Sequence, residues 1–304
     1  MRLHVIDGTY ELFRAHYAPR PDHRAPDGRD AKATLGVVSS LLALLHSQDE
    51  AVTHLAVAFD NPIRSFRNDL FPDYKSDEGV PAELRSQFDA VEEAVRALGI
   101  VVWSMQKYEA DDAMATAAHR FTGQVEQVRL LTPDKDLGQC LDGTRIVQVD
   151  RRTNTVTDEA GFRHRRGFAP ASMPDYLALT GDSADGIPGL AGFGAKSASA
   201  LLGLYGHLES IPERASDWGI AVRGAPKLAA TLLQYRAEAL LYRQLATLVD
   251  AVPLTESLND LQFHGVPRTQ FLACCERLGT TTLKGAPRRW DPRWAGQVAP
   301  DALP

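Results

Sequence analysis

Cysteine is scarce in this sequence: three occur among 304 residues, at Cys140, Cys274 and Cys275. No two of them have the Cys-x-x-Cys spacing of a metal or redox motif. An odd number without that spacing argues against a disulfide framework and against a zinc site. We therefore expect all three to be buried free thiols.

Long apolar runs are also missing. The longest, "LGVVSSLLALLH", is interrupted by serine and is too short to span a bilayer, and no secretory segment follows Met1. With 44% hydrophobic residues the chain can still form a packed core. We expect a globular protein that does not contact a membrane and that works in the cytoplasm.

Positive charge is in the minority, with 33 Lys and Arg against 39 Asp and Glu and a formal net charge of −6. Nucleic-acid-binding proteins usually carry a basic surface. This balance therefore counts against a nucleic-acid partner, unless many of the acids are gathered in one site.

Short apolar runs alternate with helical patterns through the first half of the chain. The strand candidates are "RLHVI", "HLAVAF", "IVVW" and "VRLLT", and "RIVQVDRRTNTVT" is typical of a hairpin. Two helical patterns between them place apolar residues on one stripe each, at Leu35, Val38, Leu42 and Leu45, and at Leu84, Phe88, Val91, Val95 and Leu98. This alternation predicts an α/β fold with a mostly parallel central sheet flanked by helices.

After the hairpin, helical patterns separated by glycine and proline replace the strands. We place a boundary near Ala169, so that residues 1–168 form an α/β core and residues 169–285 a helical subdomain. Four prolines in residues 286–304 predict an irregular tail.

Acidic residues follow all four strand runs. Because the carboxyl ends of parallel strands meet at one edge of a sheet, these side chains should share a crevice. The later "TGDSADGIPG" adds two more, and the whole set is Asp7, Asp60, Glu109, Asp111, Asp112, Asp134, Asp136, Asp182 and Asp185.

Each of these acids alone would more simply be a turn former or a helix cap, as in "YEADDAMA". Nine together, without nearby His or Cys, indicate Mg²⁺ or Mn²⁺. Such a cluster needs more than one ion, and two ions about 4 Å apart suit attack on a phosphodiester.

Two further segments have residue types that suit phosphate. Gly189, Gly192 and Gly194 precede a helix that begins near Ala195, where free amides attract anions, and Lys196 would be their cationic neighbour. This stretch could also be a plain helix connection.

The segment "NPIRSFRNDLFPDYKSDEGVP" interleaves aromatic residues with basic ones and contains Arg64, Arg67, Tyr74 and Lys75. That pattern suits a single nucleic-acid strand, although a solvated loop would have the same composition. We expect Arg67 and Lys75 to act at the scissile phosphate, and Arg64 and Tyr74 to contact the strand.

Five motifs together resemble the 5′ nuclease family, which includes flap endonucleases and the N-terminal nuclease domain of bacterial DNA polymerase I. They are "VIDGTYELFRAHYA", "AFDNPIRSFRNDLFPDYKSDEGVP", "YEADDAMA", "LLTPDKDLGQCL" and "ALTGDSADGIPGLAGFGAKSASALL". The resemblance implies a stand-alone member with a PIN-like core, a helical arch in about residues 61–98, and a helix-hairpin-helix in about residues 186–204. It implies hydrolysis of DNA at 5′ flaps, nicks and 5′ ends, in replication and repair, by a monomer.

The same resemblance implies the roles of the acids. One metal site would use Asp7, Asp60, Glu109 and Asp111, a second Asp134, Asp136 and Asp182, with Asp112 and Asp185 supporting them. A potassium ion would lie at the helix-hairpin-helix. One departure is Asp77 and Glu78, where relatives often have another basic residue, so the arch would hold the strand less tightly.

The charge balance then has an explanation. With nine acids assigned to the site, 33 basic residues face 30 other acids, a surplus of three. The motif "FRHRRGF", with Arg163, Arg165 and Arg166, is either a phosphate-binding patch or a solvated turn.

Three other functions have some of these features. A PIN-type ribonuclease has a similar acidic edge but usually ends before a glycine-rich hairpin. A non-catalytic junction-binding protein would have lost some of the acids, and none is missing. A phosphatase with an Asp nucleophile would need a second acid in "DGT".

Overall fold

A six-stranded sheet forms the centre of the molecule in the computed structural model, which describes residues 1–294. Its strands are β1 (Arg2–Asp7), β2 (His54–Asp60), β3 (Val101–Met105), β4 (Gln127–Leu131), β5 (Ile146–Asp150) and β6 (Thr155–Thr157). In space their order is β3-β2-β1-β4-β5-β6, parallel throughout except for the antiparallel β5 and β6 hairpin. The predicted strands, the hairpin and the α/β fold class are confirmed.

Helices follow or separate the strands. They are α1 (Gly8–Tyr17), α2 (Lys32–His46), α3 (Arg67–Leu70), α4 (Ala82–Arg85), α5 (Phe88–Ala97), α6 (Ala110–Phe121), α7 (Glu159–Arg166), α8 (Met173–Thr180), α9 (Ala195–Tyr205), α10 (Ala225–Gln234), α11 (Arg236–Ala246) and α12 (Arg268–Arg277). Across residues 1–294, none is long and apolar enough to cross a membrane.

Both faces of the sheet are covered, which explains why its strands are nearly continuous apolar runs. Leu3 and Val5 face one side, where they join Met114 of α6 in a buried cluster. Ile6 faces the other side and joins residues of α2, α5 and α12. The carboxyl ends of the parallel strands lie along one edge of the sheet.

Helix α2 has a wider buried face than the predicted stripe. Val38 and Leu42 are buried, but Leu35 and Leu45 are only partly so, while Val37 and Leu41 are fully buried. The reason is that α2 packs against both α1 and α5. The second predicted stripe, from Leu84 to Leu98, is buried in full.

The predicted arch takes a different form. Residues 61–98 contain α3, α4 and α5, of which α5 packs into the core, and no long helix stands free in this segment. The helical segment is interrupted between α4 and α5, next to Gln87. The Gln87 side chain is buried, and its Oε1 accepts a hydrogen bond from the Thr34 amide at 3.1 Å. That contact satisfies a first-turn amide of α2.

The stretch predicted as the helical subdomain, residues 169–285, packs in two parts. Helices α8 to α11 share a core of their own, but the chain then returns to the sheet. Val252 and Leu261 join the cluster under α6, while Phe271 and Cys275 of α12 pack on the opposite face. Residues 252–278 therefore pack against the α/β core, and the predicted bounds of the subdomain stay a prediction.

In the predicted tail, Ala286 and Trp290 pack back on the core, with the Trp290 ring centroid 6.2 Å from that of Phe271. Residues 295–304 lie outside the described part. All three cysteines are buried and free, as expected.

Candidate active site

The carboxyl ends of β1 and β2 place Asp7 and Asp60 side by side. Asp7 caps α1, since its Oδ1 accepts from the Tyr10 amide at 2.8 Å, and its Oδ2 accepts from the Thr132 hydroxyl at 2.9 Å. Asp60 Oδ1 accepts from the Ala110 amide at 2.7 Å, which ties β2 to the start of α6. Both carboxylates are thus fixed by backbone at helix N-termini.

Asp111 projects toward the same edge from the first turn of α6. Burial, followed by the charges of Asp134 and Asp7, raises the pKa of Asp111 well above its ordinary value of 3.8. Burial and the nearby Asp60 also raise the pKa of Asp7 to about 7, despite the hydrogen bond from Tyr10. Because these carboxylates are buried close to one another, ionising each of them costs free energy.

A second group of acids comes from the turn after β4 and the loop after α8. Carboxylate oxygens of Asp136, Asp182 and Asp185 lie within 4.8 Å of one another. Asp134 Oδ1 accepts from the Asp136 amide at 2.9 Å. Burial raises the pKa of Asp185 to about 6, and burial with the charges of Asp134 and Asp185 raises that of Asp136 well above 3.8.

The site suits divalent cations by three criteria. The donors are all carboxylate oxygens, which Mg²⁺ and Mn²⁺ prefer. Asp136 Oδ1 is buried and lacks a hydrogen-bond partner among residues 1–294. Lysine ammonium groups lie between the acids, with Lys135 Nζ hydrogen-bonded to Asp182 and 3.8 Å from Asp136 Oδ1. The cluster therefore requires positive charge to offset the repulsion between its carboxylates.

Lys75 lies among the acidic residues, and its action at the scissile phosphate stays a prediction. Its Nζ is 3.3 Å from Asp60 Oδ2 and 3.8 Å from Glu109 Oε2, and its amide donates to the Asp185 carbonyl at 3.0 Å. Burial alone would lower the pKa of Lys75, but the Asp60 and Glu109 charges outweigh burial and raise it well above 10.5. The side chain is therefore a permanent cation between the two acid groups.

Arg67 and Asp112 require a correction. The Arg67 side chain is 1% exposed and forms a bidentate ion pair with Asp112, at 2.8 and 2.7 Å, while its Nε donates to the Leu245 carbonyl. Asp112 is fully buried and also accepts from the Glu109 and Val249 amides. Arg67 cannot reach a phosphate, and Asp112 has no oxygen to offer a metal ion.

Tyr74 does not fit the expected contact with a single strand either. It is 4% exposed, and its hydroxyl donates to Glu109 Oε2 at 3.3 Å. Glu109 Oε1 accepts from the Ser65 hydroxyl at 2.6 Å and from Arg67 at 3.1 Å. Glu109 therefore contacts the rest of the site mainly through the Lys75 ammonium. The Ser65, Arg67 and Tyr74 side chains hold its carboxylate in position.

The predicted DNA-binding residues are split between surface and interior. Arg64, Gly192, Gly194 and Lys196 are exposed, the last in the first turn of α9. Gly189 is required by packing, since it has φ +71° and a Cβ there would lie 2.4 Å from the Gly181 amide nitrogen. The roles of the four exposed residues remain predictions.

Sequence reasoning missed four side chains that shape the site. Ser65 and Thr132 donate to its carboxylates, Lys135 neutralises Asp182, and Asn68 donates to the carbonyls of Tyr74 and Lys75. Only Lys135 had a signal, since it stands between two site acids in "DKD".

Two family models together match most of this chain. Residues 2–167 match the model of the 5′–3′ exonuclease N-terminal resolvase-like domain, and residues 168–269 match the 5′–3′ exonuclease C-terminal SAM fold. The chain belongs to the 5′–3′ exonuclease family. The resemblance described from the sequence is confirmed.

Curated relatives of this 5′–3′ exonuclease family member are longer. DNA polymerase I of Pseudomonas aeruginosa is 34% identical over 90% of this chain, and that of Bacillus caldotenax is 32% identical over 91%. The chain spans 30% and 31% of the length of these two relatives.

Two solved structures share the fold. A bacteriophage T5 D15 flap endonuclease complex is 18% identical, with a TM-score of 0.61 over 82% of this chain and 89% of that one. The catalytic core of Rad2, solved with a DNA substrate, is 16% identical, with a TM-score of 0.57 over 91% and 87%.

Breaking the buried ion pair should destabilise the fold. Arg67→Met leaves Asp112 charged and unpaired, so the free energy of unfolding should fall by about 3–5 kcal/mol in urea titrations. Arg67→Met/Asp112→Asn removes both charges and should recover part of that loss. Arg64→Ala, at an exposed position nearby, is the control. An Arg67→Met protein as stable as Arg64→Ala would contradict the structure.

The raised carboxylate pKa values predict how stability depends on pH without metal. Asp7 and Asp185 have folded-state pKa values of about 7 and about 6, above the 3.8 of the unfolded chain. The folded state therefore binds their protons more tightly, and the stability they provide is present below about pH 4 and lost as pH rises through 6 to 7.

Thermal unfolding in chelator should show this loss between pH 5 and pH 8, and the loss should be smaller in Asp7→Asn/Asp185→Asn. Added Mg²⁺ should raise the Tm more at pH 8 than at pH 5, because bound cations favour the ionised acids. Identical pH dependence in the wild type and the double variant would refute the assignment.

Proposed function

We propose that this protein is a structure-specific 5′ nuclease that hydrolyses DNA phosphodiester bonds at 5′ flaps, nicks and 5′ ends, near junctions between single strand and duplex. One observation carries the proposal: carboxylates from separate segments converge at one edge of the sheet, with lysines between them, in a member of the 5′–3′ exonuclease family. DNA replication and repair in the cytoplasm are the processes that produce such substrates.

The proposal includes two divalent ions, Mg²⁺ or Mn²⁺. Asp7, Asp60 and Asp111 would hold one, with Glu109 adjoining, and Asp136, Asp182 and Asp185 the other, with exposed Asp134 between the two groups. When bound, such ions supply Lewis acidity that activates water for attack and stabilises the leaving oxygen.

Lys75 has a separate part in the proposed reaction. Without cations its ammonium is drawn to Asp60 and Glu109. Once those carboxylates are neutralised, the attraction weakens and the ammonium can contact the scissile phosphate. Its raised pKa keeps it charged at any working pH, so it can stabilise the negative charge that builds up in the transition state.

The duplex would be held at a different place, the N-terminus of α9. Gly192 and Gly194 are exposed there, without side chains that would block a phosphate, and Lys196 is exposed in the first turn. A backbone phosphate could meet the free amides of this helix, with K⁺ as a further ligand of the loop. Such a contact recognises shape and spacing and carries no sequence information.

The experiment that tests the function is cleavage of end-labelled 5′-flap, nicked, blunt and single-stranded DNA by the wild type, with Mg²⁺ or with chelator. Asp136→Asn should cut the single-turnover rate on flap DNA at least about 10²-fold while duplex binding survives. Asp69→Asn, an exposed acid of α3, should cleave normally. Cleavage that persists in chelator, or a normal rate in Asp136→Asn, would overturn the proposal; binding without cleavage by the wild type would favour a junction-binding protein.

The proposed division of labour between Lys75 and Lys196 gives a second test. Lys75→Met should lower the single-turnover rate even at saturating enzyme, because its charge acts at the reacting phosphate. Lys196→Ala should weaken binding and reduce the salt dependence of affinity by about one unit of slope or less, with little change in rate at saturation. If Lys75→Met weakened only binding and Lys196→Ala lowered the rate at saturation, the proposed path of the DNA strand would be wrong.

A further inference from the structure

A cavity of about 390 Å³ lies beside the acidic cluster, enclosed by the turn after β4, the β5 and β6 hairpin, and α7. We call it the hairpin pocket. Hydroxyl and cationic side chains dominate its lining: Thr153, Thr155 and Thr157 from the hairpin, Arg165 and Arg166 from α7, and Lys135 from the turn. It opens next to the acids because Thr132 and Pro133, which also line it, directly precede Asp134.

The arginines of "FRHRRGF" differ in their partners. Arg163 pairs with Glu159 of its own helix, at 2.9 Å. Within residues 1–294, neither Arg165 nor Arg166 has a carboxylate oxygen within 4.0 Å. Arg165 donates to the Thr157 hydroxyl, and the Arg166 guanidinium lies 5.8 Å from the centre of the Tyr176 ring. Two positive charges in this pocket are therefore left without a counter-charge.

One carboxylate, Asp150, also lines the pocket, and it is already engaged. Its Oδ1 accepts from the Arg152 amide at 2.9 Å, and its Oδ2 lies 4.0 Å from the Arg152 guanidinium. A position in the last turn of a helix favours arginine in general, because of the helix dipole. That preference accounts equally for Arg163, so it does not explain why Arg165 and Arg166 line a pocket of threonine hydroxyls.

Guanidinium forks and hydroxyl donors together match the oxygens of a phosphodiester. The sheet order places this pocket at the β5 and β6 side of the acidic edge, whereas Asp60 and Lys75 lie toward β2. A strand crossing the acids from the Lys75 side would therefore reach the hairpin pocket next.

We propose that the hairpin pocket binds a backbone phosphate of the DNA strand on the opposite side of the acidic cluster from Lys75. This inference rests on the proposed nuclease function and adds a binding subsite to it. Arg165 and Arg166 bind the phosphate, and the threonine hydroxyls of the hairpin complete its hydrogen bonds.

The test measures affinity for 5′-flap DNA in chelator, where the strand stays intact. Arg165→Ala and Arg166→Ala should each raise the Kd about tenfold, which corresponds to about 1.4 kcal/mol, and lower the salt slope by about one unit. Arg163→Ala, whose arginine is paired within α7, should bind like the wild type. Equal thermal stability of the three variants verifies that folding is unaffected.

A series of flap substrates, each with one neutral methylphosphonate linkage, then locates the phosphate. One linkage should weaken wild-type binding about tenfold yet add no loss in Arg165→Ala/Arg166→Ala, because both changes remove the same contact. If no linkage behaves this way, or if all three variants bind alike while the wild type cleaves flaps, the pocket assignment is wrong and the nuclease function stands. A wild type that neither binds nor cleaves flap DNA overturns the function itself.

Discussion

Repulsion between carboxylates at one edge of a parallel sheet is the constraint on which the rest of this structure depends. The backbone alone forces the crowding, because Asp7 and Asp60 end adjacent strands and Asp134 follows a third. Burial, and then the charges of neighbouring carboxylates, raise the pKa values of Asp7, Asp111, Asp136 and Asp185, so ionising these side chains in the folded protein costs free energy. A fold retains such a cost where the charges serve a function, since uncharged side chains of similar size would remove it.

The ion pair between Arg67 and Asp112 has a structural role, which is to hold neighbouring segments of the chain together. It connects α3 to α6, and the same two side chains bind the backbone of Leu245, Thr247 and Val249, where the chain leaves the helical subdomain. One buried contact thus fixes three segments beside the acidic edge. Lys75, eight residues after Arg67, is held in place as a consequence, with Asn68 binding its carbonyl.

Periodicity and strand ends made the sheet, the hairpin, the α5 stripe and most of the acids predictable from the sequence, because these depend on local patterns. The residue pattern alone could not separate Asp111 from Asp112, and only the family resemblance gave them different roles. Adjacent residues on a helix point about 100° apart, so one faces the crevice and the other the interior, and only the packing of α6 decides which. Arg67 was misassigned for the same reason, since an arginine's burial depends on a distant partner.

Under the proposed function, local arrangement of charge explains how an acidic chain would hold a DNA strand. Ion screening limits exposed charges to a range of roughly 8–10 Å, so a strand responds to the groups it touches more than to the net charge. At the acidic edge those groups are Lys75 on the β2 side and Arg165 and Arg166 in the hairpin pocket, with the carboxylates between them. Until cations neutralise these carboxylates they repel the strand in the middle of its path, while the two basic ends attract it. In the proposed reaction, binding of cations and binding of the strand would therefore favour each other, and the phosphate between the two basic ends would be the one brought to the acids.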